Sequence, residues 1–298
     1  MFGLSDPAIL HTLAKKIEEK VPLTIFYDAK SSPNLRTVLA GAQVYPLRQA
    51  GLMHQKILIL DDERVFLGSA NFTTPSLKMH DNLVVGLSSP AIAQFLKEKK
   101  PYSSGSLSTV VGGQQVDIWL LPDRQGEALS TLKKQISLAS RTLQIALFTL
   151  THSDLTEAII QAKKRGVAVT VLLDTHAALG ASASAIQALR EAGVRLLYSQ
   201  GVQLLHHKFA YIDQKTLIMG SANWTKAAFT KNSDCLMILH DLNPEQKKFL
   251  RRLWNRMEKT SRLAFLRVFF YHESHDPTID RLLPLPPHGP HWEHSVLH

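Results

Sequence analysis

Two stretches of this chain carry the same chemically capable side chains at the same spacing. In one, His206 and Lys208 are followed by Asp213 and then by Gly220, Ser221 and Asn223. In the other, His54 and Lys56 are followed by Asp61, Gly68, Ser69 and Asn71. Matched residues are all 152 positions apart (206−54, 213−61, 220−68 and 223−71). The wording repeats as well, GSANFT at 68–73 and GSANWT at 220–225. A lone His-x-Lys is usually a solvated surface pair, and a lone GSAN is usually a turn. Two full matches at one offset in one chain are not chance. Each copy offers an imidazole, an ammonium, a hydroxyl and an amide, a set suited to holding a phosphate and attacking it.

The elements that must position these groups are short strands. KILIL and KFAYI are apolar β-type runs, and alternate residues of a strand share a face. His54 and Lys56 therefore point the same way, as do His206 and Lys208. Asp61 and Asp213 fall on the opposite parity, at the strand end, and read as structural pins for the strand or its turn. DDER and DQKT are turn-like, and VFLG and LIMG read as returning strands of hairpins. Gly68 and Gly220 mark a break close to neighbouring backbone. One histidine can attack phosphorus as a neutral imidazole, and the other, protonated, can donate to the leaving alkoxide.

The twice-repeated pattern HxK(x)4D(x)6GSxN resembles that of the phospholipase D superfamily, and every named motif residue is matched in both copies. The wider repeat covers most of residues 1–262. The resemblance implies an α/β fold of two similar units, each a mixed sheet flanked by helices, facing each other across a pseudo-two-fold axis with one active site at the seam. It implies His54, Lys56, Asp61, His206, Lys208 and Asp213 as the catalytic set. Lys56, Lys208, Asn71 and Asn223 would hold the phosphate oxygens, with Ser69 and Ser221 assisting. A phosphohistidine intermediate, no metal and no cofactor are further implications, with His54 as nucleophile and His206 as acid. Relatives usually carry a glutamate some ten residues after GSxN, behind the catalytic histidine. Here the aligned positions are Asn82 and Asp234. Asp234 is expected to support His206, leaving His54 the less well supported ring.

Outside the motifs the repeat continues. Residues 1–28 align without a gap to 147–174 at an offset of 146 (174−28). Each stretch reads as a strand end, a helix and a strand closing in Asp. Ser153 or Thr151 is expected to cap the second-copy helix. SPAIAQFLKEKK and NPEQKKFLRRLW both open on a Ser/Asn-Pro helix start. PYSSGSLSTVVGGQQ, 101–115, reads as a Ser/Gly-rich linker. The expected units are 1–112, 113–262 and a C-terminal extension, 263–298, partly disordered for its proline content. The strand and helix expected in 116–146 have no counterpart in the first copy, which begins in mid-strand. The expectation is a first unit lacking its opening strand and helix, with a natural start upstream or an impaired protein. LAFLRVFFY reads as a final packed helix or a membrane-facing run. Tail histidines 288, 291, 294 and 298, without a folded frame, do not read as a metal site.

Composition leaves the substrate open. The 298 residues are 45% hydrophobic and 20% charged, with a net charge of +9. That is a globular balance with a basic excess suited to anionic partners. The single cysteine, Cys235, excludes an internal disulfide. No apolar run reaches the roughly 18 residues of a membrane span, and no signal peptide is visible, so a cytoplasmic location is the default. Leu52, Met53, Leu204 and Leu205 precede the histidines and suggest an apolar approach for a phospholipid, with peripheral membrane contact. A metal-independent nuclease, a cardiolipin synthase-like phosphatidyl transferase and an inactive truncated relative are the alternatives. With both half-sites in one chain, a monomer is expected.

Overall fold

A computed structural model of the protein describes residues 1–99, 103–123, 125–200 and 203–263. The C-terminal readings, including LAFLRVFFY and the tail histidines, lie outside the described residues. The architecture is α/β, as the repeat implies. The second copy builds a nine-stranded mixed sheet. Its order is Ser261–Leu263, Arg195–Ser199, Ala168–Leu173, Thr142–Leu147, Lys208–Ile212, Thr216–Gly220, Cys235–Leu239, Gln114–Leu120 and Gly105–Val111. Ala168–Leu173 runs parallel to both of its neighbours, and Lys208–Ile212 runs antiparallel to both of its own.

The first copy repeats this plan in two pieces. Thr24–Asp28 pairs in parallel with Gln43–Leu47, and Ile57–Leu60, Arg64–Gly68 and Val84–Ser88 form a separate antiparallel sheet. Thr142–Leu147, the strand that joins the corresponding pieces of the second copy, has no full counterpart among the described residues. The first residues stand at its end instead. Asp28 N–H donates to the Met1 carbonyl and Phe2 N–H to the Gln55 carbonyl, where the second copy has Asp174 to Leu147 and Phe148 to His207. Isolated bridges Leu4–Phe72 and Leu150–Trp224 match in the same way.

One apolar core runs through both copies. Val65, Leu67 and Ile92 of the first pack in one cluster with Phe209, Leu217, Met219 and Trp254 of the second. Ser89 and Asn243 cap the helices Pro90–Glu98 and Pro244–Lys259 by accepting from the Ile92 and Gln246 backbone N–H. The Asn243–Gln246 pair completes a capping box. The cap of Ser153–Lys164 departs from expectation. His152 holds that position without a side-chain cap, whereas its first-copy counterpart Asp6 accepts from Ala8 and Ile9 N–H.

The expected linker is not a linker. Gly105–Val111 is a strand, turned back on Gln114–Leu120 through Gly112 and Gly113 at φ +56° and +81°. Both φ values are positive, as a two-residue hairpin turn requires. The serines that suggested flexibility alternate with Leu107, Thr109 and Val111 along a half-covered edge.

The two motif sheets differ in cover. On the outer face of the second, Ala210, Ile212, Ile218, Leu236 and Ile238 are buried. Their first-copy equivalents include Leu60, Phe66 and Val84, which are exposed. Ile57–Leu60 is also an edge strand, while Lys208–Ile212 is central. Amide exchange followed by mass spectrometry is therefore expected to run faster across 57–60 than across 208–212. Equal protection would show that the first sheet is as well closed as the second.

Candidate active site

Each motif begins on a strand that enters the other copy. Met53 bridges Ser233, and Leu204–Leu205 pairs with His80–Asp81. At the next residue, His54 N–H donates to the Ser233 carbonyl at 2.7 Å and His206 N–H to the Asp81 carbonyl at 2.9 Å. These contacts are two-fold related, since 233−81 and 206−54 are both 152. Met53 and Leu205 are thus seam core, 2% exposed each. They do not form the apolar approach expected of them.

The crossing extends to the side chains and overturns one expectation. Asp234 does not support His206. Its Oδ1 lies 2.8 Å from His54 Nδ1, and His206 Nδ1 lies 2.9 Å from Asn82 Oδ1. Each ring is oriented by the other copy, because the strand that carries it crosses the seam before the ring emerges. His54 is therefore the ring with a carboxylate behind it. Ser221 Oγ donates to Asp234 Oδ1 at 2.6 Å, and Ser69 Oγ donates to Asn82 Oδ1 at 2.9 Å. The two serines were expected at the phosphate. They stand one layer back, almost fully buried, and fix the groups that orient the imidazoles.

Glycine is required just before each serine. A Cβ at Gly68 would lie 2.1 Å from the Leu83 carbonyl oxygen, and one at Gly220 would lie 2.2 Å from that of Cys235. This close approach lets Ser69 and Ser221 N–H donate to the same two carbonyls. Of the two motif aspartates, which their parity marks as strand pins, Asp213 is one. Asp213 accepts from Ser140, Arg141 and Thr142 N–H, clasping the start of Thr142–Leu147. Asp61 has no such partner strand among the described residues and pairs with exposed Arg64 at 2.5 Å. Both stand in hairpin turns with Asp62 and Gln214, at positive φ of 50–56°.

Lys56 and Lys208 are 3% and 2% exposed. Their Nζ atoms donate to the His54 and His206 carbonyls at 2.6 and 2.8 Å. Phe2 and Phe148 lie beneath them, with ring centroids 4.8 and 5.2 Å from Nζ. The same rings contact His54 and His206 at centroid distances of 5.0 and 5.4 Å. These phenylalanines had no assigned part in the sequence, although their places in the repeat match. Asp28 and Asp174 were also passed over as mere strand ends. Each accepts through Oδ2 from the residue before its histidine, Met53 N–H or Leu205 N–H, at 3.3 Å. His80, which fits no motif, sits with its ring 5.9 Å from that of His206.

Burial and mutual repulsion of like charges dominate the electrostatics of the seam. Burial pushes Lys56 down to about 7, against the pull of Asp234, Cys235 and Asp28. Burial and then Lys56 depress Lys208, against Asp234 and Asp174. Burial is also the main force lowering both histidines; Lys56 adds to it at His54, while Asp234 opposes it. At His206, Lys208, Lys56, His54 and His80 all add to burial. Burial raises the Asp234 carboxyl, but His54, Lys56 and Ser221 outweigh it and hold the group below the usual range. The buried Oδ1 atoms of Asn71 and Asn223 have no hydrogen-bond partner in the structure. Among the described residues, no group of three or more His, Cys, Asp or Glu could hold a metal.

The chain has clear relatives. A family model described as "Cardiolipin synthase, PLD-like domain" matches residues 1–99 and 132–259. The mitochondrial cardiolipin hydrolase of Xenopus laevis is 36% identical over 130 residues, 43% of this chain and 61% of that protein. That of Chlamydomonas reinhardtii is 34% identical over 114 residues, 38% of this chain and 51% of that protein. The chain thus spans roughly half to three fifths of the length of these curated relatives. Phosphatidylserine synthase of Haemophilus influenzae shares the fold, with TM-score 0.67 at 12% identity over 88% of this chain and 81% of that one. Among the described residues, no helix is long and apolar enough to cross a membrane.

His207, on the opposite face of the strand from His206, makes a testable difference to stability. It is fully buried, and neither ring nitrogen has a hydrogen-bond partner in the structure. Burial, helped by Lys208 and Arg256, pushes it down to about 3. The unfolded chain takes up this proton at about 6.5. Between those values the unfolded state binds more protons, so stability is held above the upper one and lost as pH falls toward the lower. His207→Gln, the residue found at the matching Gln55, is expected to lose about 2 kcal/mol less than the parent between neutral pH and about pH 5. Urea titrations at the two pH values measure the difference.

Proposed function

This chain belongs to the phospholipase D superfamily, and on that premise we propose that it is a phosphodiesterase that hydrolyses phospholipid headgroup esters through a phosphohistidine. The observation that carries the reading is the convergence of both motif copies across one seam, with Asp234 behind His54. His54 Nε2 attacks phosphorus as the P–O bond to the headgroup breaks, and protonated His206 gives its proton to the departing alkoxide. His206, now neutral, takes a proton from water, and the resulting hydroxide displaces His54 from phosphorus. Lys56, Lys208, Asn71 and Asn223 neutralise or hold the non-bridging oxygens, and such preorganised donors supply several kcal/mol of transition-state stabilisation. Asp213 acts through the strand it pins, and Asp61 stays within its own hairpin turn. The cardiolipin hydrolases among the relatives favour a lipid over a nucleic acid. In this reading the units 1–112 and 113–262 each supply half a site, one chain suffices as a monomer, and contact with membrane is peripheral.

Purified protein offered labelled cardiolipin, phosphatidylglycerol, phosphatidylcholine and single-stranded DNA, all with EDTA, tests the proposal. Lipid cleavage without DNA cleavage is expected, undiminished by the chelator. Cleavage of DNA alone, or activity lost to EDTA and restored by Mg²⁺, overturns it. His54→Ala and His206→Ala are each expected to lower turnover on the order of a thousandfold or more, since the rings act as a unit. A near-parental rate in either variant would rule out the shared site.

A further inference from the structure

The two rings are not equivalent, and the difference lies in one atom. At His54 the orienting group is a carboxylate, and Asp234 Oδ2 is buried with no hydrogen-bond partner. At His206 the matching group is an amide whose orientation is fixed. Asn82 Nδ2 donates to the Ser76 carbonyl at 2.8 Å, with Ser76 Oγ at 3.3 Å and the His80 carbonyl at 3.4 Å. Its Oδ1 is thereby turned toward Ser69 and His206. This copy adds one acceptor for the amide, because Ser76 Oγ stands beside Nδ2 and its counterpart in the other copy, Ala228, has no hydroxyl. A carboxylate at position 82 would set its second oxygen against two carbonyls.

We propose that Asn82 is a positioning residue that keeps His206 uncharged in the free site, so that His206 gains its acid proton together with the anion it serves. The catalytic half of this inference rests on the phosphodiesterase reading; the protonation half does not. The groups around His206 set the balance. Lys208 is on its own strand, Lys56 and His54 come from the other motif strand, His80 comes from the short strand His80–Asp81, and Phe148 covers one side. Asp234 bonds to His54 and, with Asp174, acts on Lys208; neither is among the groups that set the charge of His206. Asn82 accepts Nδ1–H and adds no charge, so neutral His206 presents a bare Nε2. Burial and the surrounding cations disfavour a further proton there. A phosphate seated between the lysines reverses the sign of the local field, and Nε2 then binds a proton from solvent. That proton goes to the leaving alkoxide when the P–O bond breaks and His54 forms its bond to phosphorus. Asp234, by contrast, favours the positive charge that His54 acquires once Nε2 is bonded to phosphorus.

Nitrogen NMR of protein labelled with 15N-histidine is the test, with sodium sulfate as the probe because it exchanges no proton near neutral pH. Residue-specific shifts are needed because Lys56, near 7, also gains charge when an anion binds. His206 Nε2 is expected at the shift of an unprotonated nitrogen without sulfate and of a protonated one with it. A ring already charged in the free protein, or neutral in both states, overturns the inference whether or not the protein cleaves lipid. So does failure of sulfate to move the His206 signals at all. If the protein is active, Asn82→Asp is expected to charge His206 in the free state and move the alkaline limb of kcat/KM to higher pH, with a smaller effect on Tm. An unmoved limb in a folded variant counts against it, and if the variant does not fold the parent's spectra decide alone.

Discussion

The structure depends on the crossing of two short strands. Met53 and Leu205 each leave their own copy to pair with Ser233 and Asp81 of the other, and the next residue in each case is a motif histidine. Backbone pairing and side-chain chemistry are therefore fixed by the same contact. A seam of loose surface groups would let the imidazoles drift. Here their N–H groups are tied to the opposite copy at 2.7 and 2.9 Å, and their Nδ1 atoms to Asp234 and Asn82. Side chains held this way need little reorganisation to act together.

Much of this was legible in the sequence, because two copies make spacing a measurement. The offset of 152 located the histidines, lysines and asparagines, and strand parity set Asp61 and Asp213 apart. What spacing could not show was which copy serves which. Asp234 follows His206 in the chain, so proximity in sequence assigned it to the wrong ring. Only the crossing, a long-range pairing with no local signal, reverses that. The serines were misplaced for a related reason. Side chains sharing a face with the site can still lie one layer behind it, and depth is not written in a period of two.

The edge hairpin taught a different lesson. Ser and Gly in 101–115 suggested a linker by composition, yet the alternation from Ser106 to Val111 is that of a half-buried strand. Composition described the exposed face alone. The asymmetry between Asp213, clasping the start of Thr142–Leu147, and Asp61, left to a surface arginine, follows from what each has to hold. The same turn chemistry is present in both copies, and among the described residues one of them has a neighbouring strand to receive it.

The outer face of the first motif sheet has a consequence for handling the molecule. Ile57–Leu60 presents unpaired edge groups beside Leu60, Phe66 and Val84, all exposed. A sheet edge flanked by apolar side chains is a template on which other extended chains can add, and the nearby Arg64 and Lys97 are paired with Asp61 and Asp62.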